Sequence, residues 1–411
     1  MRNGGFILLV GMVLVGAACG QPADSPVAQE ELLFLRTARG ITVASAGGEE
    51  PNFRSSTAVP SGDWSTAVSA EIAKNSTILS AAEPSTGRSM WERSLDGRLQ
   101  VKVVSYEGDY VALGPVDEWH HTVGRAKTDL VIAASNGYAP PQSLTLDGNY
   151  EPEAFSSDGK NLFVIEYLPA RNPVNYRVRS LDLTTGEVGG VYTPHDELQE
   201  AMGGTARVQA LAPDGGRLYT LYTERLNGHT HTFVHVLSLD EKWAHCIDLP
   251  DGFAEDAEAA TALTLSPDGS RLFVANSSTD NLAEVDTEAL QVVKAEGVEF
   301  TDDRGTRFAH GTHVAEGGDN LYLAGEHGLS AVDAATLEPA GEWVMEEPIT
   351  GLQLSTDGSK LYVGQKAKVV VLDVDSGEEL ESIDPPGIEK IDLLGQSTKT
   401  IDLLGGYKCG C

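Results

Sequence analysis

Between Ala262 and Val293 the chain alternates short apolar runs with polar breaks, at intervals too brief for helices. Leu263 and Leu265 alternate with Thr264 and Ser266, the two-residue period of a half-buried strand. Pro267-Asp268-Gly269 then supplies a fixed φ, a side-chain acceptor and a residue free to take φ > 0, which together predict a hairpin turn. Arg271 to Asn276 is apolar on both faces, as expected of a strand buried between neighbouring sheets. Leu282 to Asp286 alternates again, Thr287-Glu288 turns, and Leu290 to Val293 makes a fourth strand. The stretch predicts one sheet of four short antiparallel strands.

The unit recurs with its turn in the same place: SSDGKNLFVIEY at 156–167, APDGGRLYTLYT at 212–223, EGGDNLYLAG at 316–325 and STDGSKLYVGQ at 355–365. The turn between third and fourth strands recurs too, at 180–188, 330–338 and 371–379. Asp158, Asp214, Asp268, Asp319 and Asp357 lie 56, 54, 51 and 38 residues apart, against a propeller repeat of roughly 40–50 residues. One four-stranded sheet cannot bury both its faces, so such units must stack around an axis.

SPDGSRLFVAN and its cousins resemble the repeats of the YVTN and WD40-like β-propeller families, and the resemblance covers nearly all of the chain after residue 31. It implies an all-β fold, a propeller of four-stranded antiparallel blades, and it speaks to architecture rather than function. Units opening at Thr57, Leu99, Tyr150, Arg207, Thr261, Thr312 and Ile349 give seven complete sheets. Ahead of them, 32–36, 40–46 and 52–56 read as three strands lacking a first, which Ile388 to Leu394 can supply from beyond Pro385-Pro386-Gly387. Closure by N- and C-terminal strands hides both exposed edges and predicts eight blades, with seven plus an N-terminal extension as the alternative.

The termini add an address. Arg2, an apolar run from Phe6 to Val15 and then Gly16-Ala17-Ala18-Cys19 have the layout of a signal peptide, too short to span a bilayer. Ala17-Ala18-Cys19 resembles the bacterial lipobox, departing from it at Gly16, where Leu or Val is usual. The expected division is a signal peptide at 1–18, a lipidated tether from Cys19 to residue 31, a propeller at 32–395 and a flexible tail at 396–411 that carries Cys409-Gly-Cys411. The protein would then lie outside the cytoplasmic membrane, anchored as a lipoprotein, with soluble secretion as the alternative. Cys246, in WAHCIDL, is expected as a small buried hydrophobe in a strand.

Charge narrows the partners. A formal net charge of −32, from 61 acidic and 29 basic residues, repels phosphate backbones and argues against nucleic acid. An envelope protein, a peptide or a small ligand at the channel mouth remains, for a protein expected to be a monomer.

Chemistry concentrates in the histidines. On this strand plan eight of the ten fall on one face, where loops surround the channel mouth. His120, His121, His229, His231 and His327 fall in second-to-third strand connections; His195, His310 and His313 fall between blades; His235 and His245 fall in strands. His310-Gly-Thr-His313 and His229-Thr-His231 have spacings that suit a divalent metal, zinc or copper, against the plainer reading of solvated or structurally bonded loop residues. Clustered loop histidines on a propeller lipoprotein resemble the extracytoplasmic zinc chaperones built on this fold, although residues 20–60 hold no histidine where those proteins carry a His-rich leader. The repeats are also similar to those of propeller lactonases, which implies a divalent ion held by carboxylate and amide groups near the axis. Glu153 and Asn276 are the residues here that match such roles, and Arg207 joins them as a candidate ligand contact. Three arginines and two tyrosines in the segment 166–179 suggest a basic loop in an acidic chain. No Gly-x-Ser-x-Gly elbow is present and no catalytic residue is assigned. The sequence therefore reads as a non-catalytic, surface-anchored binding propeller, with a metal chaperone or lactonase-like enzyme as the alternative.

Overall fold

The turn chemistry read in the sequence starts each sheet. Ser266 Oγ donates to Asp268 Oδ1 (2.7 Å), which also accepts from the Ser270 amide (3.0 Å) and hydroxyl (2.8 Å), while Gly269 sits at φ 72°. The arrangement repeats at Ser156–Asp158, Ser355–Asp357 and Ser61–Asp63. In the last of these Trp64 takes the left-handed position, at φ 62°. Its buried ring packs on Phe34 (centroids 4.3 Å apart) and so ties two neighbouring sheets.

The computed structural model describes residues 31–396 except 38, 49, 117–122, 136–138, 196–197, 199, 227–228, 254–260, 299–312, 318, 389–390 and 392; the side chains of 206, 207, 225, 226, 229, 313 and 393–396 also fall outside the described set. The described residues form eight four-stranded antiparallel sheets and no helix. Seven blades are continuous in sequence, at 59–96, 99–147, 149–190, 205–248, 261–297, 313–344 and 351–383, and are numbered 2 to 8. In each the first strand is innermost and the fourth outermost.

Blade 1 closes the ring. Its outer three strands are Leu32–Thr37, Gly40–Ser45 and Phe53–Ser55, and its innermost strand is Leu393–Gln396, paired antiparallel so that Leu33 faces Gln396 and Arg36 faces Leu393. The eight-bladed expectation therefore holds. The closing strand begins later than the expected 388–394, because Ile388 and Ile391 pack into the seam between blades 8 and 1 instead of joining the sheet. Ile391 is fully buried, and its amide bonds to the Lys366 carbonyl.

Blades hold one another through continuous apolar seams. Between blades 5 and 6, Tyr219, Leu221, Val234 and Val236 meet Leu263, Leu265, Leu272 and Val274, all at most 1% exposed. Each such side chain contributes about 2 kcal/mol relative to exposure. Arginines after the first turn staple adjacent blades: Arg217 Nη1 donates to the Thr287 carbonyl (2.6 Å), and Arg271 Nη1 to that of Ala334 (3.2 Å).

Four sequence expectations change. His229 and His231 are strand residues, because the second and third strands of blade 5, Arg217–Leu226 and His229–Ser238, are each ten residues long and pair down to Leu226↔His229. His313 likewise opens the innermost strand of blade 7, His313–Gly317. Cys246 is exposed rather than buried, since it lies on an outermost strand, Ala244–Asp248, and points away from its buried neighbour Ile247. The segment 166–179 is also mostly strand: Asn161–Leu168 and Asn175–Asp182 pair in blade 4 and leave only 169–174 as loop.

One seam carries a carboxylate where its sisters carry hydrocarbon. Val104, Phe155, Leu211, Leu265 and Leu354 occupy one register position in blades 3, 4, 5, 6 and 8, and in blade 7 that position is Glu316. Its side chain is 2% exposed; Oε1 meets Arg271 Nη2 at 2.9 Å, and Oε2 has no partner among the described residues. Burial, helped by Asp268 and opposed by Arg271, pushes the carboxyl up from 4.5 to about 7. Because the folded value lies above the unfolded one, the stability this group contributes is complete below about pH 4.5 and is lost as pH rises through about 7. Glu316→Gln should therefore flatten the melting-temperature profile between about pH 5 and 8, gaining on the wild type at the alkaline end. Parallel profiles for the two proteins would show that Glu316 does not titrate there.

Candidate functional site

Three consecutive innermost strands break register in the same way. In Leu99–Val104, Asn149–Phe155 and Thr205–Leu211, pairing with the second strand skips between Val101 and Val103, Pro152 and Ala154, and Ala206 and Val208. The inserted residues are Lys102, Glu153 and Arg207, all charged. The innermost strands of blades 6, 7 and 8 pair without a shift. A bulge re-aims one side chain and twists its strand, and bulges recur beside functional sites. Pro152, which cannot donate to a ladder, is tolerated because an innermost strand has a free edge toward the channel.

Around the bulges the wall is polar and charged. Lys102 Nζ lies 3.2 Å from Glu151 Oε1, with both side chains 12% exposed, and Arg125 Nη2 lies 3.7 Å from Glu151 Oε2. Arg125 also donates to Thr128 Oγ1 (3.0 Å) and to the Tyr150 carbonyl. Gln209 of blade 5 reaches back to Glu153 of blade 4, and donates to Thr220 Oγ1 (3.0 Å). Farther along the blade 3–4 seam, Tyr150 Oη donates to Glu166 Oε1 (3.2 Å). Glu166 Oε2 accepts from Arg177 Nε (2.7 Å) and lies 3.8 Å from Arg179 Nη1.

An aromatic file starts at this wall. Tyr167, Tyr176, Tyr222, Phe233 and His231 follow one another with centroids 6.5, 5.6, 5.5 and 5.5 Å apart. Burial and the carboxylates of Glu151 and Glu153 hold the Tyr167 hydroxyl well above its usual range, so it stays a neutral donor. Tyr176 Oη donates to the Gly203 carbonyl (2.7 Å).

The histidines do not converge among the described residues. His195 is exposed between blades 4 and 5. His231 Nε2 meets Asp248 Oδ1 at 3.2 Å with its ring on Phe233, and His327 Nδ1 lies 3.3 Å from the Met345 carbonyl. His235 is buried edge-on to Tyr222, and burial lowers it to about 4. His120, His121 and His310 lie outside the described residues, as do the side chains of His229 and His313. Among the described residues no group of three or more His, Cys, Asp or Glu is placed to hold a metal.

The other sequence candidates separate. Glu153 stands on the channel wall and Arg207 occupies a bulge position beside it. Asn276 is fully buried; it donates to the Phe253 carbonyl (2.6 Å) and accepts from the Ser278 amide and hydroxyl, so it ties a loop. Lys102, Glu151, Arg125 and Gln209 went unnoticed in the sequence. The signal was present as a lone lysine between valines in VKVV and two carboxylates in YEPEAF, where the sister strands are apolar.

The fold is an eight-bladed β-propeller in which three adjacent innermost strands each bulge at a charged residue. Among solved structures the chain is similar to apo AztD from Citrobacter koseri (TM-score 0.55, 14% identity, covering 89% of this chain and 98% of that one) and to a second AztD structure from the same organism (0.53, 13%, 89% and 97%). It is similar as well to a candidate 6-phosphogluconolactonase from Bacteroides fragilis (0.51, 14%, 91% and 99%). At these identities the likeness shows the fold alone. No family model and no curated protein sequence matches the chain.

The Glu151 group makes a direct prediction. Glu151→Gln strands two cations in a half-closed wall and should cost about 3 kcal/mol, and adding Lys102→Met should recover part of that loss. Thermal unfolding of the single and double variants measures the coupling; additive effects would mean that the pair does not interact.

Proposed function

We propose that this protein is a non-catalytic binding propeller of a bacterial cell envelope, tethered by a lipid on Cys19, which takes a peptide or small ligand along the channel wall of blades 3 to 5. The observation that carries the reading is the set of three adjacent bulges with charged residues, confined to one side of the channel. Packing alone explains the apolar innermost strands of blades 6 and 8, whereas a bulged, charged strand gives up seam burial and calls for a different reason. Contacts that cross from one blade to the next, Lys102 and Arg125 to Glu151 and Gln209 to Glu153, support a preformed site.

Tethering has its own test. Cys19→Ala should move the protein from the membrane fraction to the soluble fraction. Unchanged fractionation, with Met1 intact by mass spectrometry, would remove the lipid from the account.

A metal-binding reading is kept for one reason. His313 opens the innermost strand of blade 7, and His310 precedes it by three residues in the sequence, a spacing that suits two ligands of one ion. Zinc or copper would be the ion and a neighbouring carboxylate the third ligand. Titration of wild type against the His310→Ala, His313→Ala double variant should show one tight site lost in the variant; equal binding by both would exclude the pair.

A further inference from the structure

The first turns of blades 2 and 3 depart from the repeat in complementary ways. At the second turn position, blades 4, 5, 6 and 8 carry Ser157, Pro213, Pro267 and Thr356. Blade 3 carries Tyr106 there and blade 2 carries Gly62, while Trp64 stands in blade 2 where those four blades have glycine. One blade gains a ring where its neighbour gives up a side chain, and the fold brings the two together.

Tyr106 reaches past blade 4 to blade 5. Its hydroxyl donates to the Pro213 carbonyl, and its own carbonyl accepts from the Asp63 amide (2.9 Å). The ring lies between two glycines: a Cβ on Gly62 would sit 2.8 Å from Tyr106 Cδ2, and one on Gly215 would sit 2.7 Å from Tyr106 Cγ. The same Cβ on Gly62 would sit 2.7 Å from Leu211 Cδ2, so the turns of blades 2 and 3 both touch blade 5. Val208, also of blade 5, packs against the cluster of Phe34, Ile41, Val43 and Trp64 from blades 1 and 2. Burial, with Asp63, Asp214 and Glu107 nearby, pushes the Tyr106 hydroxyl up, so it stays a neutral donor.

These contacts have a definite place along the channel. Each innermost strand runs toward its first turn, so Leu99–Val104 ends just before Tyr106 and Thr205–Leu211 just before Pro213. Tyr106 therefore crosses the turn-side end of the bulged wall, joining its two flanking blades. Four residues separate Lys102 from Tyr106, roughly 13 Å of strand from bulge to turn.

We propose that the bulged wall is a blind recess with Tyr106 as its floor, backed by Trp64. A ligand enters only from the face of the second-to-third-strand connections and must end inside the ring, so a peptide is taken by one of its termini. The proposal rests on the channel-wall reading above and adds what that wall refuses: a chain threaded through the ring would have to displace Tyr106.

Val208, half-buried on the innermost strand of blade 5, offers a position that reports on the floor without any ligand. In the full-length chain with its native cysteines replaced by serine, Val208→Cys should react slowly with a bulky maleimide. Adding Tyr106→Ala should raise that rate about tenfold or more by opening a second entrance. Tyr106→Phe keeps the ring and should stay near the parent rate. Val274→Cys, sealed in the blade 5–6 seam, should stay unreacted beside Tyr106→Ala, which separates an opened floor from an unfolded protein. If Tyr106→Ala does unfold, Tyr106→Leu gives the same comparison. A Val208→Cys rate that is fast with Tyr106 in place, or that ignores its truncation, overturns the floor. Thermal shift with trialanine tests the ligand: a polymer chain on one terminus should be tolerated, and one on the other should abolish stabilisation. Tolerance at both termini overturns end-first entry. No stabilisation by trialanine, with Val208→Cys still slow, rejects the wall as a peptide site while the floor stands.

Discussion

Everything in this molecule depends on four residue pairs contributed by opposite ends of the chain. Leu33 to Arg36 face Gln396 to Leu393, and this ladder converts eight sheets in a row into a ring. Without it, blade 1 would present a bare strand edge toward the channel, and the seam built from Leu33, Leu35, Tyr362, Val369, Val371 and Ile391 would open on one side. The loop so closed includes nearly the whole protein, so its closure carries a large entropy cost that the pairing and the seam must offset. Tight turns based on Asp158, Asp268 and Asp357, whose carboxyls are held down to about 2 by local hydrogen bonds, give blades 4, 6 and 8 hairpins that need no distant partner.

A closed ring lets individual blades depart from the repeat without collapse. Blades 6 and 8 keep the apolar pattern, and their innermost strands serve only the seams. Blades 3, 4 and 5 each insert one charged residue into the innermost strand, which costs seam contact and gains a polar wall. Blade 7 departs differently, placing Glu316 in a seam with Arg271 as its partner. Such a pair is a weak source of stability, since two charges are desolvated to make it. The propeller thus combines a uniform scaffold with local exceptions, and the exceptions are where chemistry is found.

The sequence disclosed the scaffold because its signals are local. Pro267-Asp268-Gly269 dictates its own turn, and alternation in Leu263 to Ser266 dictates a strand; neither needs a distant partner. It disclosed the closing strand only approximately, since Ile388 and Ile391 are as apolar as a strand requires yet are used for packing. His229-Thr-His231 reads as a loop because polar residues fill it, and becomes strand only because Glu224 to Leu226 lies opposite. Cys246 reads as buried because its neighbours are apolar, whereas on the outermost strand only Ala244 and Ile247 are covered. The bulges at Lys102, Glu153 and Arg207 are registers between strands, which no single-strand pattern records. Glu153 and Arg207 were nonetheless reachable from their charge, and Lys102 from its valine neighbours.

The ring closure is tested most directly by hydrogen exchange in the intact chain, followed by mass spectrometry. Amides in 393–396 should exchange as slowly as those in the innermost strand of blade 6, Thr261–Leu265, and should lose protection together with Leu32–Thr37 as denaturant is added. Fast exchange at 393–396 in a protein whose blade 6 remains protected would show that the C-terminal strand does not close the propeller.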